Sequence, residues 1–139
     1  MGDFFYGEQA NLFSFYRLPK VLFTSRRFED VSVEAKVLYG FLLDRMGLSA
    51  KNGWKDEEGR VYIIFTVESI MEHLKCSNKK AVGLLRELDE KADLIERRRQ
   101  GQGRPSLIYV KTFMDALRLR FWKCRKFTSG GVGLTLPEV

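Results

Sequence analysis

The stretch from Thr66 to Phe113 constrains the fold more than any other part of the chain. Thr66 can cap a helix, because its hydroxyl can accept from an unpaired backbone N–H one turn in. Val67, Ile70, Met71 and Leu74 then recur at i, i+3, i+4 and i+7, which makes one apolar stripe. Lys75-Cys76 break that pattern, and Ser77 is placed to cap a second helix. The second apolar set is Ala81, Leu84, Leu85 and Leu88. Projected at about 100° per residue, Asn78, Lys79, Val82, Gly83 and Arg86 fall on the opposite face. No acid occurs in the first two turns of that face; Asp89, Glu90 and Asp93 arrive at its far end. A strand then starts at Leu94-Ile95 and continues through Glu96-Arg97-Arg98-Arg99. Gly101 and Gly103 permit a reversal, and Leu107 to Val110 is a β-rich return strand. Helix, turn, helix, strand, basic glycine-containing tip and strand is a helix-turn-helix followed by a β-wing.

That order gives the outward residues a meaning. A helix that lies in a major groove needs long donors for guanine edges and phosphates. It also needs an amide for adenine or backbone, and small residues for close approach. A basic loop beside it can reach a minor groove or phosphates. The expected DNA-contacting set is therefore Ser77, Asn78, Lys79, Lys80, Val82 and Arg86 on the helix, with Arg97, Arg98, Arg99, Gln102 and Arg104 on the wing. Arg86→Ala is expected to relax sequence preference, and Arg98→Ala to weaken all sequences alike. Each piece has a plainer reading. Any helical hairpin can show this spacing, and a triple-arginine run is more often a solvated face. The side to which each of Arg97, Arg98 and Arg99 points depends on strand register, which the sequence leaves open.

The bulk properties agree with a polyanionic partner. The chain has 139 residues, a net charge of +6 and an isoelectric point near 9.4, and 45% of it is apolar. That suits one domain with extensions and a substantial core. Cys76 and Cys124 are far apart, and His73 is the only other soft ligand, so no zinc pattern arises and no metal or cofactor is expected. Cys76 reads as a small buried group in the turn and His73 as a flank residue. No apolar run can span a bilayer, and the first ten residues lack a signal peptide's cationic start. A cytoplasmic protein without membrane contact is expected. Asp56, Glu57 and Glu58 are consecutive in a polar turn, with no general base placed beside them, so catalysis and small-molecule substrates are not expected.

Residues 1–28 carry Phe4, Phe5, Tyr6, Phe13, Phe15, Tyr16, Phe23 and Phe28. A disordered arm would be poor in aromatics, so this one is expected to pack, on its own domain or on a second copy. Arg17, Lys20, Arg26 and Arg27 leave its second half basic enough to approach a DNA backbone. Ser32 to about Leu48 reads as a scaffold helix, with Ala35, Leu38, Tyr39, Leu42 and Met46 on one face, Val37 and Phe41 widening it, and Gly47 ending it. Asn52 to Arg60 is turn-rich, and Val61 to Phe65 is a short strand that leads into Thr66. The expected fold is α+β, a winged helix-turn-helix with a three-stranded antiparallel sheet. Its expected layout is an N-terminal arm over 1–28, a DNA-binding winged-helix domain over 29–113, a basic helix over 114–127 and a linker or tail over 128–139.

Several segments resemble the N-terminal domain of the RepA plasmid replication initiators of Gram-positive bacteria. They are Phe15-Tyr16-Arg17-Leu18-Pro19-Lys20, Gly53-Trp54 through Thr66, Cys76 through Ala81, Leu94 through Gly101, and Arg104 through Lys111. The resemblance covers roughly residues 13 to 113 and is most specific in the wing. It implies a winged-helix domain that binds repeated origin sequences (iterons) as a dimer and starts plasmid replication. The family's initiators also carry a C-terminal domain, which this chain is expected to lack. Double-stranded origin DNA and a second copy of the chain are thus the expected partners. A transcriptional repressor of the same fold, or a protein-binding winged helix, are the alternatives.

Overall fold

The computed structural model describes residues 2–8 and 13–114. In chain order the elements are α1 (Val21–Thr24), a 3-10 turn (Arg26–Phe28), α2 (Val33–Lys51), β1 (Tyr62–Ile64), α3 (Val67–Leu74), α4 (Asn78–Arg86), a π-type turn (Glu87–Lys91), β2 (Ile95–Arg98) and β3 (Leu107–Val110). The three strands form one antiparallel sheet in the order β1-β3-β2. This is a winged helix-turn-helix. The expected basic helix over 114–127 and the tail after it lie outside the described residues, apart from Met114.

Local chemistry sets the helix starts. Ser32, Thr66 and Ser77 each stand in extended backbone, and each hydroxyl accepts from the N–H three residues on. Such a cap is worth about 1 kcal/mol. Lys75 closes α3 in the left-handed region, at φ 54°, and so makes the turn to α4 a single sharp corner. The apolar stripes then do the packing. Ile70 from α3 and Ala81, Leu84, Leu85 and Leu88 from α4 and its extension are buried with Ala35, Leu38, Tyr39 and Leu42 of α2. Ile63, Ile95 and Ile108 close the core from the sheet. Burying one such side chain fully is worth about 1.5–3 kcal/mol. The Tyr39 hydroxyl donates to the Lys111 carbonyl at 2.6 Å. Burial pushes its pKa above the usual tyrosine value, so it stays a neutral donor.

Three features depart from expectation. Gly47 does not end α2, which runs on to Lys51 with Asn52 as its cap. Gly47 is exposed, and the carbonyls of Leu48, Ser49 and Ala50 find partners in the N–H groups of Asn52, Gly53 and Trp54. That ordered exit outweighs the roughly 1 kcal/mol that a mid-helix glycine costs. Cys76, at the corner between α3 and α4, is half-buried and packs against the edge of the core. The core also begins earlier than residue 29: Val21, Leu22 and Phe28 are fully or nearly buried. The first half of the aromatic arm behaves differently. Phe4, Phe5, Phe13 and Phe15 expose 83%, 68%, 55% and 67% of their surface.

Candidate nucleic-acid interface

The outward face of α4 is formed as its periodicity requires. With Ala81, Leu84 and Leu85 turned into the core, Asn78, Lys79, Gly83 and Arg86 are exposed or half-exposed and Val82 is half-buried. The Asn78 amide donates weakly to Met71 Sδ at 3.9 Å. Lys79 forms no ion pair among the described residues. Arg86 meets Glu90 at 3.5 Å, one turn on, and both are exposed. An exposed pair of that kind is worth about 0–1 kcal/mol, so a phosphate or base edge can displace the acid at little cost. A Cβ built on Gly83 meets nothing within 4 Å. Gly83 therefore leaves an open notch in the middle of the face, one side chain deep.

Ser77 and Lys80 stand apart from that face. The Ser77 hydroxyl is occupied as the cap of α4, accepting from the Lys80 N–H at 3.1 Å. Lys80 is turned toward α2, where its Nζ lies 3.2 Å from Glu34. A backbone N–H and then Lys80 hold the Glu34 carboxyl below the usual carboxylate range. No periodicity in the chain marks Glu34 as a neighbour of α4, since the pair joins two helices far apart in sequence.

The wing separates its three arginines. Strand pairing sets Arg97 opposite Ile108, and Arg98 opposite Leu107. Arg97 therefore shares the helix side of the sheet and reaches Asp89 in the π-type turn at 3.0 Å. This ties the base of the wing to the extension of α4. Arg98 is on the outer side, bonded to Glu96 at 2.6 Å and placed over the Tyr109 ring at 4.8 Å. The bond to Arg98 holds the Glu96 carboxyl below its usual range. Arg99 and Arg104 form no ion pair among the described residues. Gln102 and both of these arginines are exposed in the tip. The reversal uses Gly101 at φ 118° and Gly103 at φ 78°, and Gln100 steadies it by donating to the Pro105 carbonyl at 2.8 Å.

Among the described residues, the two outward elements thus carry three cations without an ionic partner, Lys79, Arg99 and Arg104, with Arg86 one weak contact from joining them. The described residues contain no cluster of three or more metal-ligating side chains and no helix long and apolar enough to cross a membrane. His73 is exposed; its Nδ1 is 2.8 Å from the Ser69 carbonyl, and its ring lies against Phe41 and Phe65.

Residues 14–121 match the family described as the N-terminus of replication initiator protein A (RepA). The chain belongs to that family. A 41 kDa protein of Lactobacillus helveticus is 27% identical over 80 residues, which are 58% of this chain and 23% of that protein. The chain thus spans about a quarter of the length of this curated relative. Among solved structures, one described as "Structure of Rep-DNA complex" is 30% identical with a TM-score of 0.66, covering 87% of this chain and 95% of the other. "N-Terminal domain of DNA binding protein" gives 29% and 0.66, with 88% and 96% covered. "Structure of MDR initiator" gives 35% and 0.64, with 88% and 98% covered. Membership in the RepA N-terminus family thus rests on sequence and fold together.

Proposed function

We propose that this domain binds double-stranded DNA at repeated origin sites and serves the initiation of plasmid replication, without catalysing a reaction. The observation that carries the reading is the outward face of α4. Asn78, Lys79, Gly83 and Arg86 stand clear of the core on a capped helix, with Val82 half-buried among them. Family membership and the likeness to a Rep–DNA complex support it. In this reading Asn78, Lys79 and Arg86 meet base edges, and the notch at Gly83 lets the backbone approach the groove floor. Arg99 and Arg104, with Gln102, meet phosphates or the neighbouring minor groove. Arg97 stiffens the wing base through Asp89. Arg98 is held on the sheet's outer side and contributes less than its position in the triplet suggests. Lys80 reaches phosphate only by leaving Glu34.

The domain acts as a homodimer in this reading. Phe4, Phe5, Phe13 and Phe15 remain exposed, and apolar surface of that kind is stabilised by burial at about 25 cal/mol per Å². Sedimentation at micromolar concentration should show a dimer, and deletion of residues 2–8 should yield a monomer that still folds. A wild-type monomer at those concentrations contradicts this part.

The test of DNA reading is fluorescence anisotropy with the full chain. The duplexes are direct repeats found within and beside its coding gene, and scrambled versions of them. Tighter binding to the repeats, with affinity falling steeply as salt rises, is expected. Failure to bind any duplex at low salt would return the domain to the protein-binding class.

A further inference from the structure

Apolar packing holds α4 against the core but is not directional. Ala81, Leu84, Leu85 and Leu88 resist removal of the helix from the core far more than small rotations about its axis. A reading helix has to be placed within about half an ångström to present its donors to base edges. Something directional has to fix its azimuth.

One side chain has that geometry. Glu87 stands where α4 passes into the π-type turn, and its carbonyl accepts from the Ala92 N–H at 2.9 Å. Its carboxylate reaches across to the first turn of α2. Oε1 accepts from the Ser32 N–H at 3.0 Å, and Oε2 accepts from the Ser32 hydroxyl at 2.7 Å. The same hydroxyl accepts from the Ala35 N–H at 3.2 Å to cap α2. Both donors of Ser32 are therefore engaged by Glu87, and a bidentate bond fixes direction as well as distance. Two turns earlier on the same stripe of α4, Lys80 meets Glu34, also in the first turn of α2. A shallow groove of about 400 Å³ runs along this side of α4, lined by Ser77, Lys79, Lys80, Gly83, Leu84 and Glu87.

We infer that Glu87 is a positioning residue for sequence reading: by gripping the cap of α2 it sets the rotation of α4, and through it the aim of Asn78, Lys79 and Arg86. This role rests on the DNA-binding reading above. It makes the scaffold helix a determinant of discrimination.

Three accounts of Glu87 separate in one experiment. Affinities of the full chain for repeat and scrambled duplexes are measured for wild type, Glu87→Ala and Glu87→Gln, below the melting temperature of each. The glutamine side chain can still accept through its carbonyl oxygen from one Ser32 donor and donate through its amide to the hydroxyl oxygen, so it keeps the grip and removes the charge. Glu87→Ala is expected to lower the repeat-over-scrambled ratio about tenfold, within the range set by one good base contact. Binding to the scrambled duplex should change less than about twofold, and Glu87→Gln should restore most of the ratio. Were Glu87 only an acid that repels phosphate, both variants would tighten binding to both duplexes, which would overturn the inference. Were it only a stability element, Glu87→Ala would lower the melting temperature and leave the ratio unchanged, which would overturn it equally. A wild type with no preference for repeats would instead defeat the DNA-reading proposal itself.

Discussion

The reading helix and the wing carry similar charge and are held in opposite ways. α4 is capped by Ser77, rooted by Ala81, Leu84 and Leu85, and tied at its far end to Ser32. The wing tip has Gln100 on the Pro105 carbonyl and a long turn contact between the Arg104 N–H and the Gly101 carbonyl at 3.4 Å. A rigid element can discriminate, because a displaced donor misses its base edge. A pliant element with a cation can find a phosphate on any sequence. We therefore propose base reading for α4 and sequence-independent affinity for the wing.

The strongest test of that division is removal of a donor from the rigid side. Arg86→Ala should cost about 1–3 kcal/mol of preference for the repeat duplex, with little change on the scrambled one. Competition anisotropy on both duplexes measures this, and equal losses would remove Arg86 from the reading set. Next in size is the pliant side. Arg99→Ala combined with Arg104→Ala should weaken both duplexes by roughly tenfold and reduce the salt slope by up to about 0.9 for each phosphate that is no longer neutralised. Arg98→Ala should do less, because Glu96 and Tyr109 already engage its guanidinium. A larger loss for Arg98 than for Arg99 would mean that the outer sheet face meets the DNA.

Two glycines sharpen the contrast at smaller scale. Gly83 and Gly47 both lie in helices, and a Cβ on either meets nothing within 4 Å. Alanine at either should stabilise the fold by about 0.5–1 kcal/mol, seen as a higher melting temperature. Gly83→Ala should also weaken DNA binding several-fold, since its methyl would fill the notch. Gly47→Ala should leave affinity unchanged. If both left it unchanged, the middle of α4 would not approach the groove floor.

Much of this architecture was legible in the residues. The i, i+3, i+4, i+7 stripes and the hydroxyl caps located α3 and α4, because local pattern and burial agree there. β2 and β3 followed from β-rich runs on either side of two glycines. Gly47 misled, because a glycine marks a helix end only when the following backbone lacks a better exit; here the Asn52–Trp54 N–H groups supply one. The arginine triplet stayed ambiguous until the register set Arg97 opposite Ile108. Ser32–Glu87 and Lys80–Glu34 were invisible, since no local rule links side chains so far apart in sequence. Val21, Leu22 and Phe28 fall within the 1–28 arm by sequence, although burial separates them from its exposed aromatics.

The division between α4 as the sequence reader and the wing as the source of charge is tested most directly by one measurement. It is the affinity gap between repeat and scrambled duplexes across a salt series, for wild type and for Lys79→Ala/Arg86→Ala. The gap should be present in wild type at every salt concentration and collapse in the double variant, while binding to the scrambled duplex keeps most of its salt slope. A gap that survives the double substitution, or a wild type that binds both duplexes alike, would contradict it.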